Sequence, residues 1–364
     1  CMLLASLLCH AGLTSTATAA TYYVNNQSSG GDGTTSALSG AKAAFNTIAA
    51  AQTVLDALGD KGAGDTVIVY EGDGSSYGAY IEHGITRNGW LTYEAANGED
   101  PIFGMIKLGQ WNESPNVRLK FDGLTVEAYN DAGVIKHVTL LLCNYVKLHN
   151  LDISGDGYRY PYFDTTDGIG SKAIALKKCT NIEIDGCHIY GTGDSYAESW
   201  PGCASDSVLT ADANLFGQGF VFGIYSEDEQ LDCTVNDNII EQCDVGMLLR
   251  KFVNSTISGN HIHHITSDGI QLSECQNSAE QKTIIADNHI HDLIKFWSID
   301  KVLLGAHNDC IQFAGKYSVT WNIYNNMVIS SNVLHDCEDQ ALFTRSSGDS
   351  EDWLFENSLV YNVP

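Results

Sequence analysis

The segment GAHNDCIQFAGKY (305–317) gathers His307, Asp309, Lys316 and Tyr317 into one short run. Its centre is echoed by TSDGIQLSE (266–274). The runs GMLLR (246–250) and ALFTR (341–345) align with both and add Arg250 and Arg345 at a common position. These residue types suit removal of a proton beside a carboxylate. The step shared by β-elimination and C5-epimerisation of a uronate needs a cation to neutralise the carboxylate, a base for the C5 proton, and a donor on the other side of the ring. Arg250 or Arg345 would hold the carboxylate, His307 would be base or acid, and Lys316 and Tyr317 would carry protons. Gln271 and Gln312 would bind the substrate. Asp268 and Asp309 open matching segments in neighbouring repeats, which makes them candidate ligands for Ca²⁺. They could also serve a glycoside hydrolase as paired carboxylates, with Asp244 as an alternative partner. The plainer alternative is that both aspartates only cap turns by accepting backbone N–H groups.

What must position these residues is a repeat. The units VNDNII (235–240), ISGNHI (257–262), IADNHI (285–290), ISSNVL (329–334) and FENSLV (355–360) set Asn238, Asn260, Asn288 and Asn332 in one column. A second column set, GMLLR, GIQLS, CIQFA and ALFTR, follows turns that open on Asp244, Asp268, Asp309 and Asp339. Self-similarity at about 20 to 45 residues marks a solenoid, and strand-like runs with no amphipathic helix between them point to β-coils. An Asn stacked on an Asn can satisfy backbone groups at a bend and pair with its neighbour's amide. The expected fold is all-β, a parallel β-helix. With Ile270, Leu272, Ile311 and Phe313 inward, alternation turns Gln271, Ser273, Gln312 and Ala314 outward. Arg250, Arg345, Asp268 and Asp309 are expected on the same outward face. His261, His263, His264, His289 and His291, in NHIHH and NHIHD, fall on a different side of the coil and read as turn residues rather than ligands.

Three insertions interrupt the coils, at 156–168, 192–219 and 294–308, and carry Tyr158, Tyr160, Tyr162, Trp200 and Trp297. Insertions in repeat proteins gather on one face and carry function. Tyr160, Trp200 and Trp297 are therefore candidate platforms for the apolar faces of sugars, the alternative being rings that pack the loops down. A helix expected over 41–58, with Phe45, Ile48, Leu55 and Leu58 on one face, would cap the open end of the solenoid. The first 20 residues combine an apolar run with Ala17-Thr18-Ala19, the pattern of a secretory signal. That run is too short to span a bilayer. We expect a secreted or periplasmic protein, a fragment truncated at both ends, with residues 21–364 as one domain whose N-terminal cap covers about 21–70.

With 35 Gly against 5 Pro and many Tyr, Asn and Asp, the composition suits short strands and many turns. A formal charge of −26 excludes nucleic acid as a partner. It permits an acidic polysaccharide where a local basic patch or bridging cations mediate. A monomer is expected. Of the 11 Cys, two lie in the leader, leaving an odd number that cannot pair completely. Cys143 and Cys179 occupy matching places in successive units and are expected to stack as buried thiols, with a disulfide as the alternative.

The order YYV, a Gly/Ser-rich loop, AFNTIAAA, GDTVIVYEG and then VRLKFDGLTVE resembles the start of secreted right-handed parallel β-helix proteins of the pectate-lyase-like superfamily. That superfamily includes polysaccharide lyases, alginate C5-epimerases, some glycoside hydrolases and phage tailspikes. The resemblance covers most of residues 21–364 and implies a right-handed parallel β-helix with an N-terminal capping helix. It leaves open a lyase, a C5-epimerase, a hydrolase, or a non-catalytic sugar-binding or tailspike-like module. The consecutive acids of the pectate-lyase coil head are absent here, where the sequence reads SDGIQ and NDCIQ. That departure puts a calcium site of that type in doubt.

Overall fold

The computed structural model describes residues 18–110, 115–127, 136–155, 172–191, 222–265, 267–293, 308–314, 324–345 and 352–363. Among them the strands form three parallel sheets, and within each sheet the strands follow one another in near-sequential order along the axis. A single coil shows why. Thr256–Ser258 lies in the first sheet, His261–Ile265 in the second and Ile270–Ser273 in the third, after which Thr283–Ala286 returns to pair with Thr256–Ser258 one layer on. Each strand therefore pairs with its counterpart one coil away. The result is a right-handed parallel β-helix.

Like residues stack on like through the interior. Val235, Ile257, Ile285 and Ile329 run in register in the first sheet, and Ile240, Ile262, Ile290 and Leu334 in the second. All eight are buried. Burying an aliphatic side chain of this size contributes about 1.5–3 kcal/mol, and repetition along the axis makes the core continuous.

The corner between the first and second sheets is held by backbone shape and by amides together. Asp237, Gly259, Asp287, Ser331 and Asn357 all adopt positive φ there, between 53° and 67°. At Gly259 a Cβ would lie 2.0 Å from Asp237 Oδ1, so a side chain there would displace the Asp237 carboxylate. In the first four of these coils the next residue is Asn238, Asn260, Asn288 or Asn332, all fully buried, and in the fifth it is Ser358. Each of the first three donates its side-chain amide to the Oδ1 of the next, at 2.9, 2.9 and 3.0 Å. The same Oδ1 atoms accept backbone N–H groups from the preceding rung. Cys187 and Ser358 close the ladder at its two ends through a backbone donor and a hydroxyl acceptor.

The helix is shorter than the sequence suggests. It spans Ile48–Ala57, and Thr47 caps it by accepting from Ala50 N at 3.1 Å. Residues 41–46 are not helical: they pass through a turn to Phe45, which bridges Val24 beside the first strand. Ile48, Ala51 and Leu55 insert into the core cluster at that end, so the helix does cover it. Close by, Arg87 is buried and grips both oxygens of Glu82, at 2.6 and 2.8 Å, while Tyr80 also donates to Glu82.

Cys143 Sγ and Cys179 Sγ lie 3.9 Å apart as stacked thiols. All the described cysteines are buried and unbridged. Burial pushes Cys187, Cys233 and Cys275 up to about 12. The histidines expected in turns stand instead mainly in strands of the second sheet, His261–Ile265 and His289–Leu293. Alternation turns His261, His263, His289 and His291 outward, where His261 stacks on His289 at 4.9 Å. Only His264, at φ 54°, has the corner conformation. Burial, then neighbouring imidazoles, hold His263 down to about 4. Among the described residues, no helix is long and apolar enough to cross a membrane.

Candidate functional site

The third sheet carries the residues singled out for chemistry, and its register matches the alignment of the sequence repeats. Leu248, Gln271 and Gln312 form one column. Arg250, Ser273, Ala314 and Arg345 form another. Gln271 is half-buried and Gln312 buried, side by side on neighbouring coils. Arg345 shares Arg250's column through its backbone. The described residues do not include His307, Lys316, Tyr317, Tyr160, Trp200 or Trp297, so those expected roles lie outside them.

Topology gives the insertions a common address. Residues 156–171 join Asp152–Gly155 to Lys172–Lys177, residues 192–221 join His188–Gly191 to Phe222–Glu227, and residues 294–308 join His289–Leu293 to Asp309–Ala314. Every one connects the second sheet to the third. They reach the third sheet at the strand heads, where Asp268 and Asp309 stand.

Asp268 and Asp309 are not on the outward face. They are 4 % and 0 % exposed. Each lies two residues before an inward isoleucine, Ile270 or Ile311, and therefore shares its inward parity. The two carboxyl groups belong to the corner. Asp268 Oδ1 accepts the Asp309 backbone N–H at 3.2 Å, Asp309 Oδ2 accepts from Gln312 Nε2 at 3.1 Å, and Asp339 Oδ2 accepts from Asn308 N at 2.9 Å. Gly269 lets the coils close here, since a Cβ on it would come within 2.7 Å of the Cys310 carbonyl oxygen. Burial raises the Asp268 carboxyl well above the usual range, and the Asp309 and Asp339 carboxyls raise it further. Ca²⁺ takes six to eight oxygens. Here an oxygen of each aspartate already accepts an N–H, and the described residues do not complete a calcium shell.

The Arg250 column is five residues further along the strands, roughly 16 Å from the aspartates at about 3.3 Å per residue. These groups therefore serve different places on the sheet rather than one constellation. Lys172 stands in the aspartate column and Arg250 in the far one, and both act by charge on Glu227. Lys172 Nζ lies 3.9 Å above the Tyr225 ring, and Tyr225 is in register with Leu248 and Ala175. Lys177 bridges Glu227 at 3.0 Å, and Arg250 bridges Glu274 at 3.3 Å. Burial raises the Tyr225 phenol, Glu227 raises it further, and Arg250 opposes both. Burial also pushes Glu227 up, but hydrogen bonding and charge from Lys177, then Lys172 and Arg250, hold it below the usual carboxylate range. Lys172 thus stands against the Tyr225 phenol, while Lys177 and Arg250 pair with the glutamates beside it. Lys172 and Tyr225 were missed because long insertions separate their coils from the regular repeats. The signal was present in KAIALKK and FGIYSE, which align with the later third-sheet runs.

The profile of a family described as "Periplasmic copper-binding protein (NosD)" matches residues 162–295. No curated protein matches the chain. Among solved structures, the pectate lyase Pel9A is similar at 11 % identity and a TM-score of 0.47, covering 95 % of this chain and 78 % of its own. An alginate lyase from Paenibacillus sp. str. FPU-7 is similar at 16 % identity and a TM-score of 0.43, covering 87 % and 96 %. The A-module of the mannuronan C-5 epimerase AlgE4 from Azotobacter vinelandii follows at 12 % and 0.37, covering 86 % and 91 %. These are likenesses of coil architecture, and no residue's role crosses from them. What the chain shares with them is the right-handed parallel β-helix fold.

Proposed function

We propose that the protein is an exported carbohydrate-active enzyme that cleaves a uronate-containing polysaccharide by β-elimination on the outer face of the third sheet. One observation carries this reading. In a chain of formal charge −26, Lys172 lies against the Tyr225 ring, and Lys177, Lys172 and Arg250 all act by charge on Glu227, two residues further along the same strand. Such a patch attracts a carboxylated sugar to a surface otherwise set against polyanions.

In this reading Lys172 or Arg250 neutralises the uronate carboxylate, which acidifies the C5 proton. A base removes that proton, and His307 and Lys316 supply the candidates. The electron pair forms the C4–C5 double bond as the C4–O bond breaks. The leaving oxygen takes a proton from Tyr225, whose phenol burial keeps protonated until that step, or from Tyr317. Gln271 and Gln312 line the path of the chain, and Tyr160, Trp200 and Trp297 on the insertions are candidate stacking platforms. No step runs through a metal ion.

The test is ultraviolet absorbance of the unsaturated product on alginate, pectate and glycosaminoglycan panels. A lyase yields it. Reducing ends without that absorbance would mean hydrolysis, exchange of the C5 proton with solvent without cleavage would mean epimerisation, and retention of the polymer alone would mean a binding module. Any of these three outcomes overturns the elimination reading.

A further inference from the structure

The second sheet presents a separate group of side chains on its outer face. His261 and His289 pair residue to residue, as do His263 and His291, so their rings repeat at the strand spacing of about 4.8 Å. The rings do more than stack. His261 Nε2 and His291 Nε2 lie 2.7 Å apart, and His289 Nε2 and His335 Nε2 lie 2.9 Å apart. Ring nitrogens of His261, His289 and His291 all fall within 4.8 Å of one another, and those of His263 and His264 do so with a Glu241 oxygen.

The second nitrogen of two of these rings decides how the first is used. His291 Nδ1 is 2.8 Å from Asp292 Oδ2, and His335 Nδ1 meets Asp336 Oδ2 in the same way one coil on. A carboxylate can only accept, so Nδ1 carries the proton and the lone pair is on Nε2, aimed into the cluster. A carboxylate behind an imidazole is the arrangement that orients a metal-binding histidine and strengthens it as a donor.

We propose that His261, His289 and His291 ligate a divalent transition-metal ion through imidazole nitrogen, with Asp292 orienting His291 from behind. The class of ion follows from the donors. Three imidazoles with no thiolate and one nearby carboxylate favour Zn²⁺ or Cu²⁺ over Ca²⁺ or Mg²⁺, which take oxygen. Tetrahedral bonds of about 2.0–2.1 Å place nitrogens about 3.3 Å apart. His261 Nε2 and His291 Nε2 are already 2.7 Å apart and all three rings offer nitrogens within 4.8 Å of one another, so that separation needs only side-chain adjustment. Three ligands leave a fourth position open. The site is on a different sheet from the proposed sugar face and does not depend on that reading.

The experiment uses the whole protein, stripped with chelator, with Zn²⁺ and Cu²⁺ as probes and Ca²⁺ as the control. Calorimetry and elemental analysis are expected to show tight binding of Zn²⁺ or Cu²⁺ and a concentration-dependent rise in Tm, with Ca²⁺ giving neither. In the His261→Asn/His289→Asn/His291→Asn variant, affinity falls at least 100-fold. Asp292→Asn weakens binding by about 10 to 100-fold. Asp292 is half exposed and at positive φ, a conformation Asn tolerates, so this variant keeps the test open if the triple variant does not fold. Failure of both Zn²⁺ and Cu²⁺ to bind, or unchanged affinity in Asp292→Asn and in any folded histidine variant, overturns the proposal.

Discussion

Asn260 donates its side-chain amide to Asn288 Oδ1 at 2.9 Å and to the Val235 carbonyl at 2.9 Å, while its own Oδ1 receives both the backbone and the side-chain N–H of Asn238. One side chain thus satisfies groups in the coils on either side of its own. It does so where no water reaches, since Asn238, Asn260 and Asn288 are fully buried.

Asn260→Ala strands the Asn238 backbone N–H and the acceptor on Val235, and leaves Asn238 Nδ2 and Asn288 Oδ1 each one bond short. At about 1–3 kcal/mol for each buried group left unmade, partly relieved by relaxation, we expect a loss of about 3 kcal/mol. Urea denaturation with an unchanged m-value is the measurement. A loss below about 1 kcal/mol would show that the ladder decorates the corner without holding it.

Arg87 and Glu82 form a buried ion pair beside the helix, both nearly inaccessible to solvent. Removing one partner leaves the other charged in a dry site, so Arg87→Met is expected to cost about 3–5 kcal/mol. Adding Glu82→Gln keeps an acceptor for Tyr80 and removes the stranded charge. The double variant is therefore expected to be more stable than Arg87→Met alone, a sign that a double-mutant cycle by thermal unfolding will read directly.

Asp268 supplies a pH test. Its folded carboxyl is raised by burial and by Asp309 and Asp339, so the folded protein holds a proton that the unfolded chain releases near pH 4. Its contribution is therefore favourable at acid pH and is lost as pH rises towards neutrality. Asp268→Asn retains an oxygen for the Asp309 N–H without the charge. Its Tm should exceed that of the wild type at pH 7 and show no gain at pH 3.5. A lower Tm at pH 7 would assign the carboxylate a favourable charged role.

On the third sheet, Tyr225→Phe is expected to lower kcat on the active uronate polymer by about 10²–10⁴ while KM changes little, because a proton donor acts in the transition state. Lys172→Met should raise KM, and the effect should shrink in high salt. Equal loss of both constants in each variant would separate this cluster from the chemistry.

The coil architecture was legible because its information is repeated. Asn238, Asn260, Asn288 and Asn332 could be aligned by eye, and the alignment of Arg250 with Arg345 gave the third-sheet register correctly. The helix start was less legible, because Phe45 fits a helical face and a bridge to Val24 equally well and only the tertiary pairing decides. Asp268 and Asp309 were placed outward on chemical type, whereas their spacing from Ile270 and Ile311 required the opposite side. Lys172 and Tyr225 meet across one inter-coil step that the sequence spans with the 192–221 insertion, so no local window contains both. The histidines were visible as a cluster, but their use depends on which ring nitrogen faces which, and that is a property of side-chain geometry alone.

The buried thiols make the solenoid a recorder of its own breathing. Cys187, Cys233 and Cys275 lie in different coils, and at about 12 their thiols are almost wholly protonated at neutral pH. Because the thiolate is the reactive form, an alkylating reagent reaches each sulfur only when its own coil opens. Labelling rates read along the chain then map where the stack comes apart first, coil by coil, with no probe added to the protein.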